Sequence, residues 1–407
     1  MTDAASETLR TTCAIAGGGP AGMMLGFLLA RAGIDVVVLE KHGDFLRDFR
    51  GDTIHPSTLE VMHELGLLEE FLKLPHQEAR HLSGVFGTTS VRIADFTHLP
   101  TRCGFIALMP QWDFLDFLAR QGAGHPAFHL RMRAEATDVI ETGGRVSGLR
   151  ARTPTGPLTV AAELVIGADG RHSTVRERAG LMVDDLGVPI DVLWMRLPRR
   201  GDDGAEALGR IATGKILVMI DRGDYWQCAY VIPKGGYAAV RAQGLERFRA
   251  AIVEVAPMLA DRVGALASWD DIKLLTVKVD RLRQWYKPGL ICIGDAAHAM
   301  SPVGGVGVNL AVQDAVATAN ILAGPLRSGA LGIEHLAAVQ RRRLFPTRAT
   351  QWLQLQVQNR FLSRVLATRT ALLPPPWPLW LLDRCPLLQR IPARLVGLGL
   401  RPEHVRL

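Results

Sequence analysis

The sequence predicts an α/β fold: a doubly wound parallel-sheet domain, interrupted by an antiparallel β domain and followed by a helical C-terminal tail. Three observations carry this expectation. A short apolar strand at 13–16 runs through a glycine turn into a long apolar helix and then into a second buried strand. A similar strand at 290–293 opens into another glycine-rich helix start. Between them lie alternating segments separated by Gly-Asp turns. The 407 residues, 48% hydrophobic and 21% charged, suffice for one large core or two moderate ones and exclude a disordered or collagen-like chain. No internal repeat of solenoid length is visible. Five cysteines (Cys13, Cys103, Cys228, Cys292 and Cys385) stand far apart, without a C-x-x-C pair, which argues against a zinc ribbon or redox dithiol and for a reduced, intracellular chain.

In the first element, residues 13–16 enter Gly17-Gly18-Gly19-Pro20-Ala21-Gly22, a helix follows over 23–32 with Gly33 as its C-cap, and the strand at 34–39 ends at Glu40. Each residue type has a physical role in a Rossmann-like dinucleotide site. Gly17 permits the tight turn, Gly19 lets a pyrophosphate approach the backbone, and Gly22 lets helix pack on strand. The helix N-terminus offers unpaired N–H groups and positive dipole, and Glu40 accepts ribose hydroxyls. Pro20, Ala21 and Lys41 complete this first set. At the other end of the domain, the strand at 290–293 leads into Gly294-Asp295-Ala296-Ala297-His298. Pro302, Gly305, Val306, Gly307, Val308 and Asn309 then open a helix reaching about residue 323. A second acid beside a second glycine-rich helix start has no use in an NAD domain, whereas the longer FAD molecule needs both. Asp295 serves the ribityl hydroxyls, and the amides from Gly305 to Asn309 serve the phosphate and the isoalloxazine edge.

With Gly167-Ala168-Asp169-Gly170-Arg171-His172-Ser173 between them, these motifs resemble in kind and order those of the FAD-dependent aromatic hydroxylases of the para-hydroxybenzoate hydroxylase type, single-component flavoprotein monooxygenases, over about residues 12–325. The resemblance implies FAD as cofactor, NADH or NADPH as transient reductant, O2 as co-substrate, and hydroxylation of an aromatic or polyketide-like small molecule through a flavin C4a-hydroperoxide. It also implies Arg50 and Gln111 as flavin contacts, Asp169 as a residue serving FAD and pyridine nucleotide, and Ala136 as a backbone contact to adenine. The tail departs from the family: it lacks the thioredoxin-like extension of phenol hydroxylases, and its arginine-rich end has no counterpart in the shortest members.

Residues 12–75, 102–181 and 275–345 are expected to form the FAD-binding domain, 76–101 and 182–274 the substrate domain, and 346–407 the helical C-terminal region. Strands at 188–197, 216–220 and 225–232, with a helix at 245–259, would roof the flavin. Trp226 and Tyr230, on one face of the last strand, are the candidate substrate contacts, although that face also suits a core. Asp169 equally suits a helix cap, and His55 and His298 suit packing better than acid–base work. No metal cluster or protein nucleophile is expected, and the sequence singles out no catalytic base. Other readings of the same cofactor domain are a flavin-dependent halogenase, though the W-x-W-x-I-P element is absent, an isoprenoid double-bond reductase, and a low-turnover flavin-binding membrane partner.

Charge is uneven. The net charge is +7, yet residues 340–407 hold twelve arginines, no lysine and two acids, a balance of +10 that leaves −3 for the rest. Nucleic acid is therefore not an expected partner; the basic tail, with a helix expected over 350–367, suggests either a packed cap or peripheral membrane contact. The apolar run at 370–382 is too short and too proline-rich to span a bilayer, and residues 1–12 do not read as a signal peptide. The expected location is the cytoplasm, with membrane association through the tail as the alternative; the sequence leaves the oligomeric state open.

Overall fold

The structure is a computed structural model and describes residues 7–46, 53–203, 209–369 and 374–407. Five strands make its parallel sheet, in the spatial order Leu290–Cys292, Gly156–Gly167, Glu7–Ala16, Val36–Glu40 and Phe128–Met132. Strand order therefore reverses between Glu7–Ala16 and Gly156–Gly167, so a crevice opens at their carboxyl ends, where ligands bind in this class of sheet. Val36–Glu40 (VVVLE) is buried along its whole length, as a β-branched run covered on both faces must be. One cover is the helix Pro20–Arg31, which packs against Gly307–Arg327. The first helix starts at Pro20, three residues before the expected position, because proline needs no N–H partner in the first turn and its φ is already helical.

The second domain is a seven-stranded sheet ordered Lys273–Leu275, Ile190–Pro198, Tyr225–Pro233, Lys215–Asp221, Gly209–Ala212, His81–Phe86 and Thr89–Asp95. Its pairs are antiparallel except Gly209–Ala212 with His81–Phe86. One face packs Leu193, Met195, Leu217 and Cys228 against Phe248, Ile252 and Val255 of the helix Leu245–Val255. That helix was expected to reach 259. It stops where Pro257 cannot donate to the ladder, and a 3-10 turn, Pro257–Leu259, follows. The opposite face presents Trp194, Val218 and Ile220 toward Ile106, Leu108 and Ala393.

The tail is helical, but its first helix is Ile333–Val357, starting well before residue 350 and running through residue 345. It continues as a π-helical turn, Gln358–Leu362, and as Ser363–Ala367. Its inward face is partly polar, with Arg343, Gln351, Gln354 and Gln358 all buried, so apolar periodicity cannot reveal its start. Two further helices, Trp377–Arg384 and Pro386–Gly397, pack on Thr89–Asp95. The last residues return to the parallel-sheet domain, where Asn320 donates to the His404 carbonyl (2.8 Å) and the Val405 N–H to Glu64 (2.7 Å). The helical segment Val303–Arg327 is long and apolar enough to cross a membrane by composition, yet it is a mostly buried core helix.

Candidate cofactor site

The two glycine motifs, far apart in sequence, meet at the crevice. Gly17 has φ +106°, and a Cβ there would lie 2.3 Å from the Ala168 carbonyl oxygen, so only glycine lets the first strand turn so close to the loop carrying Asp169. At Gly22 a Cβ would stand 1.9 Å from the Gly17 oxygen, which requires glycine for the close return of the helix. Gly19, by contrast, faces open space, leaving the helix start approachable. The helix Pro20–Arg31 has no side-chain cap and no acid in its first turn, so its positive end is left to an anion. The Glu40 carboxylate is fixed in place by two backbone amides: Oε2 accepts the Gly18 N–H and Oε1 the His42 N–H, each at 3.0 Å.

The second motif touches the first directly, since a Cβ on Gly294 would lie 3.0 Å from that of Ala21. Asp295 follows, partly exposed, with Arg171 Nη2 at 3.7 Å. The chain then turns through Gly304 (φ +80°) and Gly305 (φ +63°) into the helix Gly307–Arg327, whose start also lacks a side-chain cap. Thr53 donates to the Gly305 carbonyl at 2.9 Å, and Asn309 Oδ1 accepts from the His55 N–H (3.0 Å) and Thr58 Oγ1 (2.7 Å). The other end of that amide, Nδ2, is buried without a protein acceptor. A buried donor left so is costly unless a ligand completes it. The open glycine turn, two uncapped helix starts, the two acids and this orphaned donor together fit a dinucleotide that extends from Glu40 to Asn309.

Sequence reasoning missed the machinery that fixes the second motif. Fully buried Asp314 accepts from the Gly294 N–H (3.1 Å), His298 Nε2 (2.6 Å) and Arg343 Nε (2.8 Å). Burial pushes its carboxyl up, but facing His298 and Arg343 outweigh this and hold it below the ordinary value. Arg343, itself fully buried, also reaches Glu403 Oε1 at 3.2 Å. Alongside, Arg176 pairs with buried Asp280 (3.2 Å), which accepts the Ala299 N–H. Gln351 and Gln354 of the tail helix donate to the carbonyls of Asp280, Ala299, Ser301 and Val303. The polar spacing Gln351, Gln354, Gln358 on one helix was the available signal, but it reads as a solvated face until the burial is known.

The remaining expected residues occupy varied settings. Arg50 lies outside the described residues. Gln111 opens the helix Gln111–Ala123 after Pro110. Lys41, exposed, follows Glu40 at the strand end, and Ala136 pairs with Ala151 on the edge strand Glu135–Thr142 near it, since the Ala134 N–H donates to the Glu40 carbonyl. Pro302, Val306 and Val308 line the turn and helix start already described. Asp169 points at its own loop, accepting from Ser173 Oγ and from the Val175 N–H (3.0 Å) at the start of Thr174–Arg178; burial raises its carboxyl against those bonds. His55 and His298 are structural ties: His55 Nδ1 donates to the Val396 carbonyl at 2.7 Å. Tyr230 packs edge-on against Phe248, centroids 5.2 Å apart, in the layer beneath the helix Leu245–Val255. Trp226 donates through Nε1 to Asp203 (2.8 Å) and also borders a cavity.

That cavity, about 400 Å³, lies between the seven-stranded sheet and the tail helices. Its walls include Arg80, His81, Arg92, Leu108, Trp226 and Gln389. Leu108 is paired with Thr53, whose hydroxyl holds Gly305, so one wall of the cavity is a single strand away from the second helix start. Against Asp95, His81 Nε2 stands at 3.6 Å.

Comparison with known proteins agrees with this geometry. The family model described as an FAD binding domain matches residues 10–353. A 6-methylpretetramide 4-monooxygenase of Streptomyces rimosus is 32% identical over 364 residues, covering 88% of this chain and 86% of that protein. A longer relative, the 12-dehydrotetracycline 5-monooxygenase/anhydrotetracycline 6-monooxygenase of Streptomyces rimosus, is 28% identical over 76% of this chain, which spans 61% of it. Among solved structures, the p-nitrophenol 4-monooxygenase PnpA of Pseudomonas putida superposes with a TM-score of 0.76 at 20% identity, over 97% of this chain and 100% of that one, a likeness of fold. The chain belongs to the FAD-dependent aromatic hydroxylases and is an FAD-dependent monooxygenase.

Proposed function

We propose that this monooxygenase hydroxylates a phenolic, polyketide-like aromatic molecule held in the cavity between the sheet and the tail helices. The observation that carries the reading is the position of that cavity, one strand from the helix start at Gly305. The character of the substrate is argued from Arg80, His81 and Arg92 in its walls, which suit a molecule rich in hydroxyl and carbonyl groups, and from the relatives that act on pretetramide and tetracycline precursors. In this reading residues 76–101 and 182–274 form the substrate side.

Bound FAD would take hydride from a reduced nicotinamide and activate O2 for transfer of one oxygen atom to the ring. The residues of the chain do the rest. Glu40, oriented by two amides, would hold the adenosine ribose, and the helix start at Pro20 the pyrophosphate; Asp295 would take the ribityl hydroxyls, and the unpartnered Asn309 Nδ2 would donate to the flavin. Gln111 and Arg50 belong to the flavin site by family resemblance. Leu108 and Trp226 limit water in the cavity. His81, with Nε2 turned to Asp95, would accept the phenolic proton at its other ring nitrogen, Nδ1, and so raise electron density on the ring to be hydroxylated. The five cysteines, none in a disulfide, suit a reducing compartment.

The test is substrate-stimulated NADH or NADPH oxidation by the FAD-loaded protein across a panel of simple phenols and polycyclic aromatic polyketides, with product mass. The expected result is stimulation by polyketide phenols and a product heavier by one oxygen atom. Stimulation by simple phenols alone, or by nothing in the panel, overturns the assignment.

A further inference from the structure

The two last tail helices pack some apolar side chains inward, Leu379 and Val396 among them, but leave a second set of large apolar groups facing water. On Pro386–Gly397 the face toward the sheet is small or polar: Gln389, Ala393 and Gly397 are buried, and a Cβ on Gly397 would come within 2.7 Å of Leu99. Val396 packs inward, but Leu387 (69% exposed) and Ile391 (58%) point away, and exposed Arg390 and Arg394 stand beside them on the same stripe. Trp377–Arg384 repeats the pattern: Trp377 (75%) and Trp380 (52%) face out at helical spacing with Leu381 and Arg384, whose guanidinium lies over the Trp380 ring at 4.6 Å. A surface helix normally turns its apolar stripe inward. Both helices rest on the same strand, Thr89–Asp95, and Gln389 Nε2 donates to the Leu382 carbonyl, so their outer faces form one patch.

We infer that this pair of helices seats the enzyme on an anionic membrane surface, tryptophan, leucine and isoleucine entering the headgroup layer and Arg384, Arg390 and Arg394 meeting lipid phosphates. Charge decides between a bilayer and a second copy of the chain. The one acid of the pair, Asp383, is already engaged by the Arg92 N–H at 2.8 Å, so two copies joined through this face would set their arginines against each other. Tryptophan beside arginine is the composition of an interfacial helix. The whole basic tail is not the footprint, because Arg342 and Arg343 are taken up by Glu403 and Asp314. The seating stands independently of the proposed substrate, but it has a consequence for it: Asp383, Pro386 and Gln389 of the same helices line the cavity, which would then lie next to the lipid surface.

The experiment is co-sedimentation of the full-length FAD-loaded enzyme with phosphatidylcholine vesicles, with and without phosphatidylglycerol, at low and high salt. Removing the tail is a poor control, since it strips Glu403 from buried Arg343. Two surface variants serve instead, Trp377→Ser/Trp380→Ser/Leu387→Ser/Ile391→Ser and Arg384→Gln/Arg390→Gln/Arg394→Gln, each verified by flavin content and Tm. Expected is binding to anionic vesicles that weakens with salt. At about fivefold per arginine, the triple variant should lose on the order of a hundredfold in partitioning. The apolar variant should lose binding at any salt. No binding by the wild type at low salt, equal binding to neutral vesicles, or undiminished binding by both variants overturns the inference. So does a lipid-free dimer in sedimentation velocity that the apolar variant dissociates, which would make this face an interface between copies.

Discussion

Asp314→Asn strikes the point where the flavin-side loop is tied to the tail. The asparagine keeps the shape but removes the charge that faces His298 and Arg343, and it must aim an amide N–H at one of their donors. Arg343, fully buried, then keeps the Arg401 carbonyl but a single acid, Glu403 at 3.2 Å, which Arg342 also holds at 2.7 Å. Breaking one member of a buried charge pair costs about 3–5 kcal/mol. With an unfolding entropy of roughly 2.1 cal/mol/K per residue over a chain of this length, that is a fall in Tm of about 4–6 °C. Asp314 also accepts the Gly294 N–H, next to Asp295, so FAD should bind about tenfold more weakly, the effect of one well-placed hydrogen bond. Because the Asp314 carboxyl is held below its ordinary value, its contribution is complete above the unfolded value near 4 and is lost as pH falls through the folded one. The gap between wild type and variant should therefore close in acid. The measurements are calorimetric Tm from pH 7 downward and flavin fluorescence titration at pH 7. A Tm within about 1 °C of wild type together with unchanged FAD affinity would refute the tie. Strict additivity with Arg343→Met would refute the coupling.

Three further outcomes are expected. Asp295→Ala removes a carboxylate from the flavin hydroxyls and should cost about 1.5–3 kcal/mol, a ten- to hundredfold rise in the FAD dissociation constant; unchanged affinity in the same titration speaks against the assignment. Burial drives the His55 imidazole down to about 4 although the Val396 carbonyl accepts from it, so stability should begin to fall below the unfolded value near 6.5 and go on falling to about pH 4, by up to about 3 kcal/mol. His55→Gln should flatten that limb of urea midpoint against pH, and an equally steep limb in the variant would contradict the origin given for it. Tyr230→Phe, whose ring packs edge-on against Phe248, should leave kcat and KM within about twofold, whereas His81→Asn should lower kcat on a phenol by about a hundredfold or more; the opposite ranking would refute the role given to His81.

How much was legible before the fold was seen depends on the range of each interaction. Gly17, Gly22 and Glu40 were readable because a strand, a tight turn and a helix start are local, and the backbone there admits few residue types. Asp295 and the glycines from 304 to 307 were readable for the same reason. The alternating strands of the second domain announced themselves through side chains of period two, and the helix at Leu245–Val255 through period 3.6. What the chain could not disclose locally were contacts made across it. Asp169 could cap a helix or face a cofactor, and only the fold shows that Ser173 takes the N-cap position while Asp169 accepts from Ser173 Oγ and the Val175 N–H beside it. The face of Tyr230 was identifiable but not its neighbour, because either side of a sheet can be covered and Phe248 arrives from a later helix. The tail shows the difference most plainly. Its arginines look alike in sequence, yet Arg343 is buried between Asp314 and Glu403 while Arg390 and Arg394 stand in solvent. Composition determines how many charges a segment carries; burial and the partners brought by tertiary packing decide which of them remain available to anything outside the molecule.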